Sequence, residues 1–380
     1  MVLSETCIVC RGVDVIAVSR GFRCLQSPRQ NMSKSSSTAF AALRQARLLK
    51  DDTVLRCNIG PFNISAVRTT NVQRNAGKRW HWSKEQISNW SHCSTATLLL
   101  ASFLTGEERV RARMMMGHQY MGVTEAMSVG EVRGSLDATP EALALNKEVQ
   151  LTIDKILYGA TQPFISSIAI PMSSDKNNRQ HTQLAYQEYL NKSEQGQCSR
   201  IVLLDGAEMA THHHEKTLAT EDTTSGNEWS GGIMISSLGH VGMSKENGMA
   251  SANVEKEVIG AFGEWWDEEQ QQKATLFGSD FITMSSQVGM VDALQNMLST
   301  SPLGSYDMNE VRVRSCDFHC RCAKEQFLAK INMLPVSDIV SIMNDMSDGG
   351  DGEDSLDLMC HHCNQKHPML YEDLEAMLSS

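Results

Sequence analysis

No run of about 18 uncharged apolar residues, the length a membrane-spanning helix needs, occurs in this 380-residue chain. The richest stretch, Leu98 to Leu104, is far too short. A secretory signal is not expected either, because Arg11 and Asp14 interrupt the only apolar stretch near the start. An evenly spread disulfide framework is missing too: the 11 cysteines are odd in number and clustered, which fits a reducing compartment. Basic charge is scarce after the first fifty residues. Those fifty hold 8 of the 34 Lys and Arg and 2 of the 45 Asp and Glu, leaving 26 against 43 and a balance of about −17. A body that acidic repels nucleic acid, so neither nucleic acid nor a membrane is an expected partner.

The eight early bases are Arg11, Arg20, Arg23, Arg29, Lys34, Arg44, Arg47 and Lys50, and a serine-rich patch runs from Ser33 to Ser37. Residues 1–50 therefore resemble an organelle transit peptide, for mitochondrial or plastid import. Glu5 and Asp14 favour the alternative, a disordered basic extension with no address.

The rest, in a chain 41% hydrophobic and 21% charged, is long enough for one sizeable core and a smaller satellite. Ser83 to Gln86 reads as a capping box opening a buried helix that continues through Ile87, Trp90 and the run to Leu104, stopped by Gly106. Val110–Met115, Val123–Met127 and Val132–Leu136 predict short strands, with Gly117, Gly122, Gly130 and Gly134 at turns. Phe164–Ile170 predicts another, and a helix bearing Leu184, Tyr186, Tyr189 and Leu190 leads to the strands Ile201–Leu204 and Ile233–Leu238. Between those last two lies a polar loop with His212, His213 and His214, whose consecutive side chains do not converge on one ion in regular structure.

From Asn253 apolar residues recur at helical spacing, in Val254, Val258, Ala261, Phe262 and Trp265, and again from Val288 to Leu298. A short strand, Val311–Arg314, follows. Two helical stripes come next, Phe327 to Leu334 and Ile339 to Met346, then two arms around Cys360 and a short closing helix from Glu372. The fold class is α+β. It comprises an extension (1–50), a mixed core domain (51–250), a helical linker (251–310) and a small C-terminal unit (311–380).

Cys320-Arg321-Cys322 and Cys360-His361-His362-Cys363 give two close thiol pairs, and four thiolates in tetrahedral geometry suit zinc. A unit this small has too little core to stabilise itself comfortably, and a structural zinc contributes roughly 10–16 kcal/mol of apparent folding free energy. Zinc-bound sulfur is thiolate, the form that peroxide oxidises, and a sulfenic acid can then condense with its sequence neighbour. That would pair Cys320 with Cys322 and Cys360 with Cys363, and release the metal. A permanently closed zinc ribbon is the alternative, although the CxC spacing makes a strained, reducible disulfide and favours reversible chemistry. Cys316 is a spare thiol or an alternative ligand. His319, His361, His362 and His367 crowd the site in secondary roles. Cys7-Ile8-Val9-Cys10 is another CxxC, without a following helix pattern.

The stretch from Cys320-Arg321-Cys322-Ala323-Lys324-Glu325 through Leu334-Pro335 to Cys360-His361-His362-Cys363-Asn364 resembles the redox-switch domain of the heat shock protein 33 family. Further similarities follow in the family's order: Ala66 to Thr70, Ser94 to Arg109, Gly130-Glu131-Val132-Arg133-Gly134, Leu157-Tyr158-Gly159 with Pro163-Phe164, and Gly231-Gly232-Ile233. The resemblance implies a non-enzymatic, ATP-independent holdase that is zinc-bound, monomeric and inactive when reduced. When oxidised it would be zinc-free, partly unfolded and dimeric, and would bind unfolding client proteins. It also implies a cytoplasmic location and a linker near 253–298 that loosens on activation. The basic extension, the His212–His214 insertion, Cys316 and the acidic loop before Leu356 depart from the family's usual bacterial pattern. A thiol-disulfide oxidoreductase is the competing enzymatic reading.

Overall fold

β-Branched and aliphatic residues alternate between two faces through residues 53–68, so this stretch pairs as a hairpin with both faces covered. The computed structural model describes residue 48 and residues 51–116, 119–136, 148–172, 178–193, 199–205, 229–237, 245–273, 276–348 and 355–378. The chain divides into two compact units, Met1–Arg44 and Gln45–Ser380, and every described residue belongs to the second. Cys7 and Cys10, Gly117, His212 to His214 and most of the acidic loop before Leu356 lie outside the described residues.

In chain order the elements are β1 (Thr53–Ile59), β2 (Phe62–Arg68), α1 (Thr70–Trp80), α2 (Lys84–Ala101), β3 (Arg109–Met116), β4 (Gln119–Met127), β5 (Glu131–Leu136), β6 (Glu148–Ile156) and β7 (Phe164–Pro171). They continue with α3 (Asn178–Ser193), β8 (Ser199–Asp205), β9 (Ser230–Ser237), α4 (Lys245–Lys273), α5 (Leu276–Gln287), α6 (Met290–Leu298) and β10 (Met308–Ser315). The last are β11 (Asp317–Phe318), α7 (Lys324–Ile331), α8 (Val336–Asp348), β12 (Ser355–Met359), β13 (Lys366–Leu370) and α9 (Tyr371–Leu378). This is the expected α+β architecture. The sequence pattern does not separate helix α5 and does not announce α1, β1, β2, β6 or the short β11.

One sheet runs β10-β1-β2-β9-β8 and a second β11-β5-β4-β3-β6-β7; β12 and β13 pair by themselves. Strand alternation divides the apolar residues of the first sheet. Val54, Val67, Ile201, Leu203 and Met234 face the cluster built around α2 and α3, whereas Leu55, Ile64, Ala66, Val202, Leu204, Ile233 and Ile235 face a second cluster. That second face is roofed by Ile259, Phe262 and Trp266 of α4, Phe281 and Ile282 of α5, and Met290, Ala293, Leu294, Met297 and Leu298 of α6.

The expected capping box is present: the Gln86 N–H donates to Ser83 Oγ, and the Ser83 N–H to Gln86 Oε1. Helix α2 is buried from Ser88 to Ala101, and the Ser94 and Thr97 hydroxyls donate back to its own carbonyls, Thr97 Oγ1 to Cys93 O at 2.7 Å.

Two glycines expected at turns lie inside strands instead. A Cβ at Gly122 would stand 2.6 Å from Ser135 O, and one at Gly134 only 2.2 Å from Val123 O. The glycines permit close approach of β4 and β5 rather than chain reversal.

Candidate metal centre

The CxC pair is carried by the segment that leaves β11. This short strand runs parallel to β5, with Phe318 opposite Val132, and the His319 N–H donates to Val132 O at 2.9 Å. Phe318 is buried edge-on against Trp90, ring centroids 5.6 Å apart. Between the two cysteines, Arg321 grips Glu131 of β5 through two hydrogen bonds of 2.7 and 2.9 Å, so the pair is tied to the sheet from both sides.

The CxxC pair sits on a knuckle between β12 and β13. The Cys363 and Asn364 N–H groups turn back to Cys360 O, and the Cys360 N–H donates to Gln365 O. Asn364 takes φ of +56°, a conformation asparagine tolerates. The knuckle is bolted to the body by the Gly134 N–H donating to His362 O at 3.0 Å and by Asn364 Nδ2 donating to Arg79 O at 3.0 Å. Cys360 and Cys363 are buried and join the main core, whereas Cys320 and Cys322 are half-buried.

All four sulfurs lie within 4.8 Å of one another. Cys320 Sγ is 3.7 Å from Cys360 Sγ, and Cys322 Sγ is 3.5 Å from Cys363 Sγ. Four sulfurs about 2.3 Å from a central zinc stand about 3.8 Å apart, so both the donor set and its spacing fit a tetrahedral zinc site.

The protonation pattern points the same way. The hydrogen bond with Cys360 and burial push the Cys320 thiol up to about 12; burial and Cys363 push Cys322 up to about 12; and the Cys320 bond draws Cys360 down. Crowded thiols share protons and cannot all ionise without a cation among them. Metal binding at this centre would therefore expel protons.

The Hsp33 protein family matches residues 53–369, more than four-fifths of the chain. The chain belongs to the Hsp33 family. Among solved structures, the 33 kDa chaperonin (heat shock protein 33 homologue) of Thermotoga maritima is similar at a TM-score of 0.57 and 15% identity, over 87% of this chain and 98% of that one. At that identity the likeness shows the fold. No curated protein matches the chain.

Around the four cysteines of this Hsp33-family chain, His367 Nε2 lies 3.2 Å from Cys322 Sγ, with its buried ring 5.2 Å from that of Phe327. Burial, reinforced by Arg133, pushes His362 down to about 4, and the residue gives its backbone carbonyl rather than its ring to the sheet. Cys316 stands apart from the cluster. It is buried, its N–H donates to Asp52 O, and its thiol points at Arg68 O, 3.4 Å away. Burial pushes that thiol well above its ordinary range.

A cleft of about 510 Å³ opens beside Cys320, lined in part by Glu125, Glu131, Arg133, His319 and Arg321. Arg133 and Glu125 were not singled out from the sequence as site residues. The available signal was the stretch Gly130 to Gly134, which is where Arg133 lies. No described helix is long and apolar enough to cross a membrane.

Proposed function

We propose that this chain is an ATP-independent holdase chaperone whose zinc-bound cysteines, once oxidised, release it to bind unfolding proteins. Residues 51–250 form the chaperone core, 251–310 the linker and 311–380 the redox switch. Cys320, Cys322, Cys360 and Cys363 hold one zinc ion. Bound there, zinc would keep four sulfurs as thiolates and supply folding free energy to the unit around them.

The observation that carries this reading is the poverty of that unit's own core. Its separate apolar cluster has four buried residues, Ile339, Met343, Met369 and Leu374, while Met333, Leu334, Val336 and Val340 stay exposed. Loss of the four ligands therefore removes the main support of α7 to α9 and of the β12–β13 pair.

In the oxidation step the thiolate sulfur of one cysteine attacks hydrogen peroxide. The S–O bond forms, the O–O bond breaks and hydroxide leaves. The neighbouring thiolate then displaces hydroxide from the sulfenic sulfur, closing Cys320–Cys322 or Cys360–Cys363. Two electrons pass from sulfur to peroxide, and the two hydroxides take up protons as water. Once the switch unit loosens, β10, whose Val313 packs against the cluster beneath α4 to α6, is no longer held at its C-terminal end; the helices then uncover the apolar face of the first sheet, where Ile64, Val202, Leu204 and Ile233 offer a surface to clients. We assign the reduced form as monomer and the oxidised form as dimer, with the cytoplasm, or an organelle reached through residues 1–50, as its location.

The oxidoreductase alternative requires a CxxC at a helix N-terminus. Here Cys360 to Cys363 cap a β-knuckle. The test is Cys320→Ser: zinc binding weakens, the C-terminal unit becomes protease-sensitive, and aggregation of a thermally unfolding client is suppressed without oxidant or ATP. Unaltered zinc affinity would remove Cys320 from the ligand set. Weakened zinc with no holdase activity would leave the site a structural staple.

A further inference from the structure

Across the second sheet, Glu125 of β4 stands in register between Arg111 of β3 and Arg133 of β5. Its carboxylate is 2% exposed, and both of its oxygens are taken. Oε2 accepts from Arg111 Nε and Nη2 at 3.1 and 3.0 Å; Oε1 accepts from Arg133 Nε and Nη2 at 3.1 and 2.5 Å. Arg109 approaches to 3.7 Å. A planar guanidinium bound at two of its nitrogens has no freedom left in the third. That third nitrogen, Nη1 of Arg133, points at Cys320 Sγ, 3.6 Å away.

We propose that Arg133, locked in place by Glu125, is a positioning residue of the thiolate centre: its fixed N–H bonds the Cys320 sulfur, tightens metal binding and slows oxidation of that cysteine. The inference rests on the reading of Cys320 as a metal ligand. Four thiolates around a divalent ion carry a net charge of about −2, and a guanidinium fixed beside one of them offsets part of it. The same N–H···S bond draws on the lone pair that would attack peroxide, so Cys320 becomes a poorer nucleophile. The S–O bond that forms, the O–O bond that breaks and the departing hydroxide are those of the step above; Arg133 changes its rate. Because Glu125 belongs to the body, the body's sheet then sets how readily the switch yields.

The test uses the full chain loaded with cobalt(II) or zinc(II). In Arg133→Met, which keeps the apolar stem and leaves Glu125 its bonds to Arg111, both metals bind about tenfold more weakly in chelator competition. The thiolate-to-cobalt charge-transfer band moves to lower energy, and peroxide-driven metal release accelerates several-fold. Arg133→Lys keeps the charge but cannot bond Glu125 twice and Cys320 at once, so it shows the same changes in smaller size. It carries the test if the methionine variant fails to fold. Band position, affinity and release rate all equal to wild type in whichever variant folds would overturn the proposal. A wild-type cobalt spectrum without four-thiolate character would instead overturn the ligand reading beneath it.

Discussion

Gly134 is where the sheet and the Cys360–Cys363 knuckle meet, and Gly134→Ala perturbs that junction through the sheet beneath it. The added Cβ would stand 2.2 Å from Val123 O and 3.0 Å from both Thr124 Cα and Trp90 Nε1. A backbone oxygen of a paired strand cannot swing aside as a side-chain tip can, so β4 and β5 must part locally. Overpacking of this kind costs about 1–3 kcal/mol. Parting the strands also strains two hydrogen bonds, Gly134 N–H to His362 O at 3.0 Å and Trp80 Nε1 to Gly134 O at 3.1 Å, each contributing about 1 kcal/mol. The expected loss is therefore about 3–5 kcal/mol, read by urea unfolding of the zinc-loaded protein. Zinc affinity falls with it, because the knuckle loses its anchor. Gly106→Ala is the control: Gly106 has φ of +58° and open space around it, so alanine there costs only the left-handed backbone, about 1–2 kcal/mol. Equal losses in the two variants, with zinc affinity unchanged, would refute the account of how the knuckle is seated.

Gly260 lies exposed within α4 with open space where a Cβ would go, so Gly260→Ala should stabilise the protein by about 0.5–1 kcal/mol in the same assay and delay activation by peroxide. Phe262→Ala removes a side chain 1% exposed on the roofed sheet face; it should cost about 3–5 kcal/mol and give measurable client binding in the reduced state. Burial pushes the Asp52 carboxyl up to about 7, against the opposing pull of the Val72 N–H and of Arg68 3.6 Å away. The folded chain thus keeps this proton to higher pH than the unfolded chain, and the stability the group contributes falls as pH climbs from about 4 to 7. Asp52→Asn should remove a decline on the order of 2–4 kcal/mol, seen as a flatter unfolding curve against pH at saturating zinc.

Most helices and the four clustered cysteines are legible in the sequence, because chemistry and periodicity there are local. The capping box at Ser83, the alternating arms around Cys360 and the paired thiols need only neighbours in the chain to be recognised. Helix α1 was not legible, because Thr70 to Trp80 contains asparagine and glycine and buries only Val72, Gln73, Ala76 and Gly77 against other elements. Strand Met308–Ser315 read as a short element of the C-terminal unit, yet it pairs with β1, some 250 residues away. Gly122 and Gly134 looked like turns because glycine signals a turn locally, whereas close approach of two strands is a property of the assembled sheet. Within the stretch Gly130 to Gly134 nothing local marks Arg133 as a site residue, for the same reason: its bonds to Glu125 and Cys320 exist only once β4, β5 and the CxC segment are side by side.

The central claim is that loss of zinc and gain of client binding are one event. The direct measurement follows both in one sample: reduced, zinc-loaded protein treated with hydrogen peroxide at raised temperature, zinc release read by a chromogenic chelator and holdase activity by light scattering of a thermally unfolding client. Suppression of aggregation should rise with the same time course as zinc release, and reduction in the presence of zinc should reverse both. Zinc release without any rise in client protection, or protection that is full while zinc stays bound, would contradict the account.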